Sequence, residues 1–486
     1  SIGGPLGMSI PMLEDVLEIE DGVVVRGKKG AMRPTWRLLY KPWLSLWQRR
    51  GTDLRQWAND PIIAEAKQRA QRLETQNFDQ LPWPQLLKTM QDALELENFI
   101  CQLRQRYFIV AVREVLLLNL WLGLAGQRAR FSALTGGVGN ITLTINGALE
   151  TLATQIRQNP TLKEAFVVED TASLLQHLQD DSAAPAAEWQ PLRRAFAAFL
   201  TEFGCREALI TLMSQPTWKD APEVPLGILK NLVITNNPAP SSNGSAEATW
   251  EITRDELLAN TWLGKAPFRN AFIQQLEKAR QFVPMRENTH FYIGLPMPSE
   301  RRAALAMGRR LVACGVLTVA EDVFHLRLAE LQRISDPAQL TAEERQTLAS
   351  TVAKRKQRRV EMIDQPLFPH LHETPSTIDD TALLTGIGGS PGIVEGVVRV
   401  IMTPQEFERL QKGEILVAPY TNPAWTPLFL RAAAAIVDTG STMSHAAIVT
   451  REYGLPAVLG TRNATRLLKN GQRVRVDGTK GTVHAV

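Results

Sequence analysis

The sequence predicts a multidomain protein in which a large, mainly α-helical domain is followed by a C-terminal α/β domain. Three observations predict this. Apolar residues recur at helical spacing over most of residues 42–353, as in Leu86, Leu87, Met90, Leu94 and Phe99, then Phe108, Val112, Val115 and Leu116. Residues 365–380, QPLFPHLHETPSTIDD, carry prolines and acids without periodicity and read as a linker. After them come short apolar runs separated by turns, GIVEGVVRVI, GEILVAP, AAAIVDTG, GLPAVLG, QRVRVDG and GTVHAV, alternating with only two or three helical segments. The expected division is therefore a helical domain at 1–364, a linker at 365–382 and an α/β domain at 383–486.

Within the helical part, composition breaks at residues 134–139, 180–187 and 236–249. The last of these, NNPAPSSNGSAEAT, is expected to be a surface loop, and its Asn243-Gly-Ser sequon a plain turn. Gly136, Gly137 and Gly139 lack the strand and lysine of a nucleotide loop and read as a helix–helix turn. Trp121, Trp218, Trp250 and Trp262 are core positions by default, with an acceptor pocket as the alternative. His370 and His372 form an HxH pair in the linker, with no Cys or carboxylate at useful spacing. No metal site is expected there, nor at His325 or His484.

Length and composition exclude several classes. A chain of 486 residues, 44% hydrophobic and 21% charged, has the makeup of an ordinary folded protein of several domains. Its 54 basic and 50 acidic residues are interspersed rather than gathered into a stripe, so no nucleic-acid partner is expected. Cys101, Cys205 and Cys314 lie far apart with no CxxC, which argues against a disulfide framework or zinc and for a reducing cytoplasm. The most apolar stretch, residues 107–123, is interrupted by Arg113 and Glu114. It is expected to be a buried helix, with no membrane partner. The chain begins at Ser1 without an initiator methionine or a signal segment, which points to a fragment of something longer.

The segment that carries chemistry is residues 435–460, AIVDTGSTMSHAAIVTREYGLPAVLG. An apolar strand runs into a small-residue turn and then a helix, with His445 at the helix start. Thr442 and Ser444 are capping residue types, and the first amides of a helix can bond an anion. A phosphoryl group on the imidazole would meet those amides and the positive end of the helix dipole. The same dipole disfavours imidazolium and keeps His445 neutral and nucleophilic.

This pattern resembles the mobile phosphohistidine domain of the PEP-utilising and dikinase family, T-G-G-x-x-S-H-A-A-I-x-x-R-E-x-G-x-P-A-V-x-G. It matches at Thr439, Gly440, Ser444 to Ile448, Arg451, Glu452, Gly454, Pro456 to Val458 and Gly460, with Ser441 where a second Gly is common. The resemblance covers about residues 383–486 and implies a swivelling domain with His445 as catalytic carrier. The chain ends at Val486 without the barrel that binds PEP in some members, so PEP chemistry is disfavoured. Residues 1–375 resemble, more weakly, the helical acceptor-binding domain of rifampin phosphotransferase-like enzymes. FLTEFGCREALITLMSQPTWKD, the REN of Arg286 to Asn288 and GRRLVACGVLTVAEDVFHLRLAEL carry that likeness. Cys205 stands where the family has the His of FGHR, and His290 where it often has Lys.

The resemblance implies an ATP-dependent phosphotransferase relaying a phosphoryl group through His445 to a small organic acceptor, such as a rifamycin. Thr442, Ser444, Arg451, Arg286 and His290 are candidates for stabilising the phosphoryl group, the last two sharing one face of a helix. ATP and Mg²⁺ would be held by an ATP-grasp domain, removed from this chain or supplied in trans. Two alternatives stay open: phosphorylation-activated condensation of aromatic precursors, as in prodiginine-forming enzymes, and a phosphocarrier module serving a partner protein.

Overall fold

The structure, a computed structural model, describes residues 8–9, 17–20, 23–27, 33–34, 52–135, 138–179, 186–206, 213–235, 242–362, 382–421, 425–429, 431–440 and 444–486. The chain opens with strands β1 (Met8–Ser9), β2 (Leu17–Glu20), β3 (Val23–Gly27) and β4 (Arg33–Pro34). Helices follow: α1 (Pro61–Glu74), α2 (Trp83–Leu124), α3 (Phe131–Thr135), α4 (Ile141–Gln158), α5 (Pro160–Val168), α6 (Thr171–Gln179), α7 (Ala186–Phe203) and α8 (Glu223–Thr235). Next come α9 (Ser242–Asn260), α10 (Phe268–Arg280), α11 (Phe282–Ile293), α12 (Met297–Ala313), α13 (Leu328–Leu331) and α14 (Ala342–Met362). The C-terminal part holds β5 (Leu384–Thr385), β6 (Ile387–Ser390), β7 (Ile393–Val400), β8 (Ile415–Ala418), α15 (Thr426–Phe429), β9 (Ala434–Val437), α16 (His445–Glu452), β10 (Ala457–Leu459), α17 (Ala464–Leu467), β11 (Arg473–Asp477) and β12 (Thr482–Ala485). A large helical region and a C-terminal mixed-sheet domain are thus both present.

Several details depart from the sequence expectation. Four short strands precede the helices, paired antiparallel as β1 with β4 and β2 with β3. Residues 242–249, expected in a loop, are the first turns of α9, where Ala and Glu favour the helix over the turn that Asn-Gly alone would signal. Of the linker expected at 365–382, residues 365–381, with His370 and His372, lie outside the described residues. By contact the chain groups into two compact units, one of 1–114 with 292–373 and the other of 115–291 with 374–486.

In the first unit, Asp60 caps α1 by accepting from the Ile62 amide at 3.0 Å, and Pro61 occupies the first helical position. The apolar face of α1, Ala66, Ala70 and Leu73, packs on Ala93, Leu96 and Ile100 of α2. Arg355 on α14 forms two 2.7 Å bonds to the Glu330 carboxylate.

The second unit receives the last turns of α2. By length and composition that helix is apolar enough to cross a membrane, yet it contains the Arg113–Glu114 ion pair. It is not buried all round as expected: Leu118 and Leu122 are sealed in a helical core, while Leu116 and Leu120 are 64% and 54% exposed. One i,i+4 stripe meets the neighbouring helices and the next does not.

The sheet of this unit has the order β5-β12-β11-β7-β8-β9-β10-β6. Strands β7, β8, β9 and β10 run parallel, with Ile415 opposite Ala434 and Ala435 opposite Ala457. β8, β9 and β10 are buried on both faces, which is why their sequences ILVA, AAIV and AVL are continuously apolar. Their side chains alternate between two cores. Ile415, Val417, Ala434, Ile436 and Val458 point to one. Leu416, Ala418, Ala435, Val437, Ala457 and Leu459 belong to the other, which also contains Ile145, Leu149, Phe199, Trp218 and Leu229 of the helical region. One face of the sheet is therefore roofed by α16 and by the helices α4 to α8.

Candidate active site

His445 is the first residue of α16, which leaves the C-terminal end of β9 through the segment 438–444. Ligand crevices of open α/β sheets lie at that end of the parallel strands. Five hydrogen bonds from Thr439 and Asp438 to neighbouring segments fix the start of the segment. The Thr439 amide and hydroxyl both donate to the Pro419 carbonyl after β8, at 3.1 and 3.0 Å. Asp438, 8% exposed, accepts from Thr461 Oγ1 at 3.3 Å and from the Thr465 amide at 3.2 Å, and Thr465 Oγ1 also donates to it. Asp438 was not among the sequence candidates. Its signal was an acid directly after a fully apolar strand, where nothing but tertiary pairing makes it tolerable.

Ser444 is extended (φ −70°, ψ 163°) and caps the helix, its Oγ accepting from the Ala447 amide at a long 3.4 Å. Thr442 lies outside the described residues. The other end of α16 is closed by a Schellman motif. Gly454 adopts φ +63°, the Leu455 amide donates to Thr450 O and the Gly454 amide to Arg451 O. Leu455 is buried, and this accounts for the Gly-Leu-Pro of the motif. Arg451 is exposed in the last turn. Its Cα lies about 9 Å further along the axis than that of His445, so α16 itself does not bring the two together. Partial burial lowers the Arg451 guanidinium from its usual value.

The inward face of α16, Ala446, Ala447 and Val449, is buried in the core shared with α4. At the C-cap of α16, Tyr453 Oη accepts from Asn146 Nδ2 of α4 at 3.4 Å. The first turn of α4 collects the motifs that the sequence analysis singled out. Asn140 caps it, accepting from the Leu143 amide at 3.1 Å, directly after Gly139; Gly136 and Gly137 lie outside the described residues. Asn288 of the Arg-Glu-Asn run accepts from the Ile141 amide at 2.8 Å. Arg206 donates to Thr142 Oγ1 at 3.1 Å and lies over the Trp218 ring, 5.7 Å from its centroid.

The turn that presents Arg206 needs Gly204, where an added Cβ would meet Leu200 O at 2.2 Å and Lys219 Cγ at 2.5 Å. Cys205, beside it, is 4% exposed and sits in the interior. Arg286 and His290 are one turn apart on α11 and both half-buried. Arg286 Nε is 3.9 Å from Glu287 Oε1, too far for a tight ion pair. Phe291, adjacent to His290, packs against the core that holds Ala446 and Ala447. The unit thus joins the Arg286–His290 helix, the Gly204–Arg206 turn and the helix of His445 around α4. Among the described residues no group of three or more His, Cys, Asp or Glu is placed to hold a metal ion.

Comparison with known proteins agrees with this architecture. Residues 410–481 match the mobile domain of PEP-utilising enzymes, and residues 105–287 match the fourth domain of rifampicin phosphotransferase. The chain is 29% identical over 374 residues to a rifampicin phosphotransferase of Streptomyces sviceus, covering 75% of this chain and 42% of that protein. It is 27% identical over 424 residues to the uncharacterized phosphotransferase YvkC of Bacillus subtilis, covering 82% and 50%. With the prodigiosin synthesizing transferase PigC of Serratia marcescens the identity is 32% over 374 residues, covering 74% and 40%. The chain spans half or less of the length of these relatives.

Proposed function

We propose, for a chain that joins the mobile domain of PEP-utilising enzymes to a rifampicin phosphotransferase-type helical domain, that it relays a phosphoryl group from ATP through His445 to a small organic acceptor. The observation that carries this reading is the position of His445 at the start of α16, at the C-terminal end of the parallel strands. There an N-linked phosphoryl group meets the positive end of the helix, with Ser444 as the cap. In delivery, the acceptor hydroxyl oxygen attacks phosphorus, the P–N bond to His445 breaks, and the hydroxyl proton ends on the released imidazole. Arg286, from the motif Asn288 ties to α4, is the cation assigned to the transferred charge, with His290 one turn away. Arg451 stands at the far end of α16 from His445.

The sequence of the loop before α4 lacks the strand and lysine of a nucleotide loop. ATP and Mg²⁺ are therefore assigned to an ATP-grasp domain, in cis or in trans. The wide spacing of Cys101, Cys205 and Cys314, with no CxxC pair, fits a reducing, cytoplasmic setting.

A second reading has a specific support, since the chain is 32% identical to PigC and 29% identical to the S. sviceus rifampicin phosphotransferase, over alignments of equal length. In it the phosphorylated acceptor is consumed in a condensation rather than released. Both readings require phospho-His445. Mass spectrometry of phosphopeptides under mildly alkaline conditions, after incubating the protein with ATP, Mg²⁺ and its ATP-grasp domain supplied in cis or in trans, should find phosphate on His445 and none in His445→Ala. An unlabelled His445 in active preparations would overturn both.

A further inference from the structure

We infer that Asn288 and Arg206 are positioning residues that clamp the first turn of α4 and through it set the register in which the helix of His445 docks. The inference deepens the proposed relay and rests on it for its functional meaning, but the clamp itself is a structural claim that stands apart from phosphate chemistry.

Three side chains from three segments converge on three consecutive residues. Asn140 and Thr142 are 6% and 5% exposed, Arg206 is 6% exposed and Asn288 is half-buried, so most of this polar cluster is enclosed by protein. Asn288 supplies the acceptor for the Ile141 amide, 147 residues away in sequence, and Asn140 that for the Leu143 amide. These are two of the four amides that a helix cannot satisfy by itself. Arg206 holds the Thr142 hydroxyl from the other side. Ile145, Asn146 and Leu149, the next positions on α4, then meet the mobile domain: Asn146 at Tyr453, Ile145 and Leu149 in the core with Ala446, Ala447 and Val449.

A helix moves as a rod over such a short span. A shift of its first turn is therefore carried to Asn146 and on to α16, whose own length places His445 two turns from Tyr453. Asn288 lies in the same run as Arg286, so one residue ties the charge-bearing helix α11 and the docking helix α4 together. Misplacement by about 1 Å at such a distance is enough to slow a transfer by on the order of 100-fold.

Hydrogen exchange on this chain, read by mass spectrometry, tests the clamp without any acceptor. Asn288→Ala should raise exchange several-fold not only in peptides 141–146 but also in 445–453. Asn288→Asp, which keeps an oxygen at the same place, should restore protection in both. Tyr453→Phe should loosen 445–453 while leaving 141–143 protected. Loosening confined to 141–146 in Asn288→Ala, or no change at 445–453 in Tyr453→Phe, would overturn the inference, and the second holds even if Asn288→Ala fails to fold.

In the full-length enzyme with ATP, Asn288→Ala should still phosphorylate His445 while the decay of that phosphohistidine on adding rifampicin as probe slows, with rescue by Asn288→Asp. If both half-reactions fall equally, the residue is structural only and positioning is refuted. If wild type itself forms no phosphohistidine, the relay fails and the exchange result still decides the clamp.

Discussion

The starts of α4 and α12 are both buried and both polar, yet they solve the same problem in opposite ways. At α4 the described polar side chains are paired: Asn140 and Asn288 accept from amides, and Arg206 donates to Thr142. At α12, Ser299 and Glu300 are 0% and 4% exposed, and Ser299 Oγ and Glu300 Oε1 have no hydrogen-bond partner among the described residues. There burial, helped by the negative charge of Glu97, pushes the Glu300 carboxyl up to about 8, so it stays protonated at neutral pH. One helix start spends its polar groups on holding three segments together. The other avoids the cost of an interior charge by keeping its proton.

The comparison breaks most strongly at Gly204. Gly204→Ala forces a methyl into the Leu200 carbonyl and displaces the turn that carries Arg206, so unfolding in urea should show a loss of about 4 kcal/mol. A loss below about 1 kcal/mol would mean that the turn is softer than the contact distances imply.

The next effect belongs to α12 and is one of pH. A carboxyl whose folded pKa lies above its unfolded value near 4.5 binds more protons when folded than when unfolded. Its stabilising contribution is complete below about 4.5 and is lost as pH rises toward about 8, at up to ~1.4 kcal/mol per pH unit. Between pH 5 and 7 the chain should therefore lose roughly 2 kcal/mol through this group. Glu300→Gln should flatten that part of the urea-stability profile. An unchanged profile in the variant would assign the slope to other groups.

The smallest effect sharpens the α4 side. Asn140→Ala should cost about 1 kcal/mol by loss of the cap, whereas Ser444→Ala, whose bond is 3.4 Å long, should cost about 0.5 kcal/mol or less. Thermal denaturation of the two variants side by side gives the ratio. Equal losses would show that the start of α16 is as firmly satisfied as that of α4 and less open to a phosphoryl group.

Much of the α/β domain was legible because its signals are local. The buried strands announce themselves as apolar runs, Ser444 as a cap and Gly454-Leu-Pro as a helix stop, each decided within about six residues. The place of His445 at the helix start needed nothing more distant. In the helical region the sequence placed Arg286 and His290 on one face, but the service of Asn288 to Ile141 was invisible, because no periodicity relates residues 147 apart. Asp438 and Glu300 escaped for the same reason. A carboxylate in a sequence is read as solvated until its neighbours in space are known.

The sequence by itself determined most of the helices and C-terminal strands and the α/β character of the C-terminal part, since these follow from caps, turns and side-chain period along a few residues, and its motif resemblance singled out the histidine. Only the tertiary structure decided that one unit gathers α4, the Arg206 turn, α11 and α16, and that α12 buries a protonated acid elsewhere. Those outcomes depend on which distant groups satisfy one another's hydrogen bonds and charges, and that pairing is settled when the chain packs.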